Sequence, residues 1–208
     1  MKKSGLKLNL GCGRLIKTGY TNCDIQKYPG VDKVFDCSSL APFKKNSVDL
    51  IFCHSFFEHL YIYQQEAFLQ DCKRVLSESG RLIILGIPDF EMVCKLYLGK
   101  FEGQPPFRGT FGLYQAYRLT HGDYEEKGRA VIPQAHKTLF DKEYLSKIFK
   151  HVFSENCYRF NYNFPTEQFQ VALGVVAFKN KPPADLSLVE ILSEFSDYID
   201  HLNSICEF

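Results

Sequence analysis

The chain has 208 residues, 45% hydrophobic and 24% charged, which suits one folded domain with a proper core. A formal net charge of +1 gives no general attraction to nucleic acid or to anionic membrane. No apolar run approaches the ~20 residues that span a bilayer. The N-terminal MKKSGLKLNLGCG lacks the long apolar core of a signal peptide, so a cytoplasmic location is expected. Eight cysteines, at 12, 23, 37, 53, 72, 94, 157 and 206, form no CxxC pair, and reduced core thiols are expected. Cys12, Cys37 and Cys53 each fall at or near a predicted strand end. Small core residues are the better reading there than a metal cluster, so no metal is expected.

Short apolar runs bounded by Gly, Pro, Asn or Asp predict strands at 6–10 (LKLNL), 20–25 (YTNCDI), 32–37 (DKVFDC), 48–54 (VDLIFCH) and 81–87 (RLIILGI). Several are continuous rather than alternating, as parallel strands covered on both faces require. Between the fourth and fifth, Phe68, Leu69, Cys72, Val75 and Leu76 recur at helical spacing, and Gly80 is the expected stop. Pro88 and Asp89 open another helix that Gly99 closes. Residues 100–138 are rich in Gly, Pro and aromatics, which predicts a substrate or lid insert, with a short helix near 110–119. A helix follows at 141–153, capped by Asp141, and then strands at 155–164 and 167–180. The short turn at Pro165-Thr166 makes these two an antiparallel hairpin. In the tail, Leu188, Ile191, Leu192, Phe195, Ile199 and Leu202 share one stripe, which predicts an amphipathic helix at about 185–205. The expected fold is α/β: a Rossmann-like, mostly parallel sheet with a C-terminal antiparallel hairpin, in a single domain over 1–208.

The first connection carries the chemistry. In LNLGCGRL, Gly11 and Gly13 let the backbone approach a ligand closely. The dinucleotide fingerprint wants a third glycine where this chain has Ile16, which disfavours a pyrophosphate cofactor. Asp24 ends the second strand, where an acid can accept both hydroxyls of a ribose. Only residues 11–19 separate these strands, so a loop or one helical turn replaces the usual crossover helix. The next link, QKYPGV, is also too short for a helix, and one face of the sheet should be thinly covered at this edge. Asp36, Ser38 and Ser39 follow the third strand, suited equally to an adenine amino group, with Leu40 or Ile25 packing on the ring, or to a local turn. His54 leaves the fourth strand at the middle of the sheet, where open α/β sheets place ligands and a histidine titrates near neutrality. Glu58 and His59 lie on the next helical turn.

Taken together, LNLGCG, GYTNCDI, LAPFKKNSVDLI, HSFFEHL and GRLIILGIPD resemble, in order and spacing, the class I S-adenosylmethionine (SAM) dependent methyltransferases, most closely their small bacterial, type-11-like branch. The shortened first crossover is a trait of that branch. The resemblance covers roughly residues 6–90 and implies SAM as cofactor. It implies that Gly11, Cys12 and Gly13 pass under the methionine part of SAM, that Asp24 holds the ribose with Ile25 beside the adenine, that Asp36 and Cys37 approach the adenine edge, and that His54 and Ser55 line the methyl-donor end. Two departures stand out. Asn9 replaces the usual acid two residues before the first glycine, and Leu15 replaces the third glycine of GxGxG. His54, Asp89, His121 and His136 are the candidate general bases; the branch's habit of a histidine before the helix after the insert favours His136. HSFFEH is not the Asn/Asp-Pro-Pro-aromatic tetrapeptide of nucleobase and glutamine methylation, which disfavours nucleic acid. Aromatics of the insert, with Arg108, Arg118 and Arg129, suit a sugar ring and an anionic group. The resemblance thus points to methyl transfer to an oxygen of a small molecule, glycan or nucleotide-sugar. A SAM-binding regulator without catalysis and a nucleotide-binding oxidoreductase are the alternatives.

Overall fold

A computed structural model describes residues 5–99, 111–122, 125–126, 129–130, 134–162, 172–182, 186–199 and 202–207. Five strands come first: β1 (Leu6–Leu10), β2 (Thr21–Asp24), β3 (Lys33–Val34), β4 (Val48–His54) and β5 (Leu76–Pro88). A 3-10 turn (Phe57–His59) and α1 (Ile62–Val75) lie between β4 and β5. Beyond β5 come α2 (Phe90–Tyr97), α3 (Leu113–His121) and the two-residue strands β6 (Glu125–Glu126) and β7 (Arg129–Ala130). The chain then forms α4 (Lys142–Phe153), β8 (Cys157–Tyr162), β9 (Ala172–Phe178), α5 (Leu188–Ser193) and β10 (Leu202–Glu207).

The main sheet runs β3-β2-β1-β4-β5-β9-β8-β10. Pairing is parallel from β3 to β5 and antiparallel from β5 through β9 and β8 to β10. The sheet is the expected Rossmann-like one, closed by an antiparallel hairpin; the turn at Pro165-Thr166 lies outside the described residues. Side-chain alternation splits the core into two layers. Leu8, Leu10, Ile51, Cys53, Leu82 and Ile84 face α1 and α4, where Phe68, Leu69, Phe149 and Phe153 meet them. Leu50, Phe52, Ile83 and Leu85 face the opposite way, onto Ile191, Leu192 and Phe195 of the tail.

Several expectations are corrected. α1 buries Phe68, Leu69, Cys72 and Val75 as its spacing requires, yet it stops at Val75, well before Gly80. Leu76 already pairs with Val48, and Ser77–Gly80 bulge out before Arg81 resumes pairing at Leu50. The third strand is only Lys33–Val34, both exposed. The tail is not one helix over 185–205. α5 ends at Ser193, and Leu202–Glu207 form a strand along the edge of β8. That edge offers a row of backbone donors and acceptors, and pairing with it outweighs the helical spacing.

No helix occupies the β1–β2 connection, and one buried amide pins it instead. Asn22 Oδ1 accepts from Asn9 Nδ2 (2.8 Å) and from the Lys17 N–H (2.9 Å). Asn22 Nδ2 donates to the carbonyls of Lys17 (3.2 Å) and Tyr20 (3.3 Å). Asn9 Nδ2 also donates to Leu15 O (2.8 Å). The face that a crossover helix would cover is filled by the tail. Phe195 stacks on Phe52 with centroids 4.6 Å apart, and Tyr198 meets Phe52 edge-on at 5.2 Å. Lys17 Nζ lies 5.0 Å from the rings of both Phe195 and Tyr198. Glu194 ties the tail to Lys7 Nζ (2.7 Å) and Tyr20 OH (3.0 Å).

Among the described residues no helix is long and apolar enough to cross a membrane. Cys12, Cys23, Cys37, Cys53, Cys72 and Cys157 are free and buried, and Cys94 is free and half-buried. Burial pushes Cys12 up to about 11 and Cys23 and Cys157 up to about 12, so these thiols stay protonated and unreactive.

Candidate functional site

A cleft of about 720 Å³ opens at the C-terminal ends of β1, β2 and β4. This is where an open α/β sheet binds its ligand, at the point where strand order reverses. Asn9, Gly11, Cys12, Gly13, Asp24, Ile25, Asp36, Cys37, His54, Ser55 and His136 all line it, so the structure gathers every cofactor-site candidate around one space. Asp89 does not line it.

At one end the backbone leaves β1 through two left-handed glycines, Gly11 (φ +62) and Gly13 (φ +51). A side chain on Gly11 would strike the Phe56 ring at 2.3 Å. The Gly13 N–H donates to Asp24 Oδ2 (2.7 Å) and the Gln26 N–H to Asp24 Oδ1 (2.8 Å). Each carboxylate oxygen thus holds one backbone donor and keeps a lone pair for a ligand hydroxyl. Ile25 is half exposed on the cleft wall. Asp36 Oδ1 accepts from the Ser38 N–H (2.9 Å), a local turn. Cys37 is buried, and Leu40 is fully buried in the core and so does not reach the cleft.

In the middle, Ser55 has φ +47, a strained value for a residue with a side chain. Gly86 (φ +87) makes room for it: a Cβ there would meet Ser55 Oγ at 2.5 Å. His54 is buried against Tyr198, their rings 4.8 Å apart. Burial lowers its pKa to about 4, so His54 stays neutral at pH 7 rather than titrating near neutrality.

At the far end His59 and His136 line the cleft, their rings 5.0 Å apart and edge to face. His59 Nδ1 lies 3.1 Å from Ala135 O, and His136 Nδ1 lies 3.0 Å from Leu119 O. A carbonyl only accepts, so both rings are Nδ1–H tautomers when neutral, with the Nε2 lone pair turned away from the backbone. Glu58, behind them, is 1% exposed, and burial pushes its carboxyl up to about 8. The spacing in HSFFEH placed Glu58 and His59 on a helical turn; nothing in the sequence brought His136 to them. The segment is held by backbone bonds from the Lys137 and Thr138 N–H groups to Glu58 O, 2.8 and 3.3 Å. Asp89 instead caps α2, accepting from the Met92 N–H (3.4 Å), with Lys142 Nζ 3.9 Å away. His121 ends α3, exposed, with its ring on Tyr117. Arg108 and the side chain of Arg129 lie outside the described residues.

Residues 8–84 match a family model described as a methyltransferase domain. No curated protein matches the chain. Among solved structures, it is similar to a SAM-dependent methyltransferase from Thermotoga maritima, described as a possible histamine N-methyltransferase, with TM-score 0.54 and 14% identity over 85% of this chain and 82% of that one. It is similar to a SAM-dependent methyltransferase from Archaeoglobus fulgidus, with TM-score 0.55 and 15% identity over 85% of this chain and 87% of that one. It is also similar to phosphoethanolamine N-methyltransferase 2 of Haemonchus contortus, solved with SAM, with TM-score 0.53 and 13% identity over 88% of this chain and 50% of that one. At such identities the structures speak for the fold, and the five motifs and the family match speak for the chemistry. Residues 8–84 carry a methyltransferase domain on the fold of SAM-dependent methyltransferases, and the chemistry they support is methyl transfer from SAM.

Proposed function

We propose that residues 1–208 act as one methyltransferase domain that methylates an oxygen of a small molecule, glycan or nucleotide-sugar. The observation that carries this reading is the cleft itself: a ribose-suited carboxylate at one end and two imidazoles, each held through Nδ1 by a backbone carbonyl, at the other. Asp24 would hold the ribose and Ile25 the adenine face. The turn Asp36–Cys37 would meet the adenine edge through its backbone. Gly11, Cys12 and Gly13 would lie under the methionine part, with Asn9 fixing their loop. His54 and Ser55 would stand beside the donor end. Bound SAM supplies an electrophilic methyl group on a sulfonium. The chain's own work is to align donor and acceptor and to keep water out, which gives most of the rate in such a displacement. A neutral His54 suits that end, since a cation there would repel the sulfonium. His136, on the cleft wall, would act on the acceptor's hydroxyl.

The test is calorimetric titration with SAM, S-adenosylhomocysteine and NAD, followed by label transfer from methyl-labelled SAM to hydroxylated sugars and phenols. SAM is expected to bind and NAD not to. Asp24→Ala should weaken SAM binding at least tenfold, as loss of a charge-assisted hydrogen-bond pair implies. An unchanged affinity would remove Asp24 from the ribose role. SAM binding without turnover on any acceptor would favour a regulatory protein.

A further inference from the structure

We propose that Glu58, His59 and His136 form a binding site for one divalent transition-metal ion, of the zinc or manganese class, at the acceptor end of the cleft. Their ligand atoms all lie within 4.8 Å of one another. Glu58 Oε1 is 4.0 Å from His59 Nε2 and 4.0 Å from His136 Nε2. A point equidistant from the three atoms is about 2.5 Å or less from each, so contraction by roughly 0.4 Å reaches the ~2.1 Å of a metal–ligand bond.

Four features mark this group as built for a ligand. Both imidazoles are held by Nδ1 on a backbone carbonyl, the support that orients a metal-binding histidine, and each brings its Nε2 to 4.0 Å from Glu58 Oε1. Glu58 is 1% exposed, and its Oε2 has no hydrogen-bond partner. A buried carboxyl left so is expensive unless something binds it. The supporting shell is rigid: Gln65 Nε2 donates to Thr138 Oγ1 (2.9 Å), which donates to Leu60 O (2.9 Å), and Tyr144 OH donates to Gln65 Oε1 (2.8 Å). Gly122 packs against the His136 ring, where a Cβ would lie 2.7 Å from Cδ2. Lys137, whose charge the His59 ring feels, holds its ammonium over the Tyr61 ring.

Two histidines and one carboxylate on one side of an ion leave its remaining positions open, here toward the cleft. The role of the ion rests on the methyl-transfer reading; the site does not. An acceptor hydroxyl in the open position has its pKa lowered and releases its proton to solvent. Its oxygen then forms the bond to the methyl carbon as the carbon–sulfur bond breaks, and S-adenosylhomocysteine leaves. His136 thus acts by coordination and does not itself take the proton.

The test is chelator-treated full-length protein titrated with Co2+, followed by visible absorption, and with Zn2+ by calorimetry, without SAM. One ion per chain is expected. Glu58→Gln and His136→Ala should each weaken binding at least tenfold, since even supporting residues of such sites are worth that much. The surface variant His151→Ala should not. Circular dichroism identifies the folded variants; if Glu58→Gln does not fold, His136→Ala decides. Folded wild type that takes up neither ion, or His136→Ala that binds as wild type does, overturns the proposal. SAM titration of the same samples separates the two readings: SAM without metal defeats the site alone, and metal without SAM defeats the cofactor assignment alone.

Discussion

Replacing Asn9 by aspartate would restore the acid that the wider family carries before its first glycine. In this chain that acid would face two acceptors. Asn9 is 2% exposed, and its Nδ2 donates to Leu15 O and Asn22 Oδ1, each at 2.8 Å. A carboxylate turns both contacts into oxygen against oxygen. Each lost bond to a buried partner costs about 1–3 kcal/mol, so Asn9→Asp should lose about 4 kcal/mol at pH 7. Asn9→Ala loses the same bonds without the repulsion and should lose about 2–3 kcal/mol. For a domain of this size 4 kcal/mol lowers Tm by roughly 10 °C. Urea denaturation followed by far-UV circular dichroism measures the difference, and tyrosine emission serves as a second probe because the chain has no tryptophan. An Asp variant as stable as wild type, or more stable than the Ala variant, would refute the idea that the Asn9–Asn22 amide pair pins the β1–β2 connection.

His54 has an ordinary pKa of 6.5 and a folded value of about 4, so its contribution is complete above 6.5 and drains away as pH falls toward 4. The loss should reach about 3 kcal/mol. His54→Gln should flatten that acid limb in urea melts between pH 7 and pH 4, and a limb of unchanged depth would contradict the assignment. Gly86→Ala forces a Cβ against Ser55 at a φ of +87. About 2–4 kcal/mol of stability should go with it, together with most of the thermal shift produced by SAM; a variant that keeps both would show that the Ser55 conformation is dispensable. Phe195→Ala empties a fully buried ring site and should cost about 3–5 kcal/mol in denaturant. Phe52, which lines the cleft and packs on Tyr198, then loses the ring stacked on it, so SAM affinity should fall as well, and calorimetry on the folded fraction reads this out.

What the sequence revealed followed local rules. Leu50–Cys53 of β4 and Leu82–Leu85 of β5 are continuous apolar runs because they are covered on both faces, and their pattern needs no partner to be read. Gly11, Gly13 and Asp24 were legible because turn chemistry and strand ends are set within a few residues. The tail misled because Leu188, Ile191, Leu192, Phe195 and Ile199 keep helical spacing across a chain that leaves the helix at Ser193. What decides Leu202–Glu207 is the waiting edge of β8, a partner remote in sequence. His136 was expected near the reaction, but its meeting with Glu58 and His59 depends on backbone bonds between distant segments. Asp89 was legible as a helix start, and its side chain does cap α2; the same residue type also suits a strand-end acid, so sequence alone offers both roles.

The tail's position also dictates the order in which this protein can be finished. Leu50, Phe52, Ile83 and Leu85 leave the ribosome long before Ile191, Leu192 and Phe195, which cover them. Until the final segment emerges, the nascent chain shows an oily sheet face and an unpaired β8 edge, the surfaces that chaperones grip and aggregates grow on. A wall of the cleft, Tyr198, arrives only with that segment, so a chain interrupted before it would lack both its cover and part of its binding site.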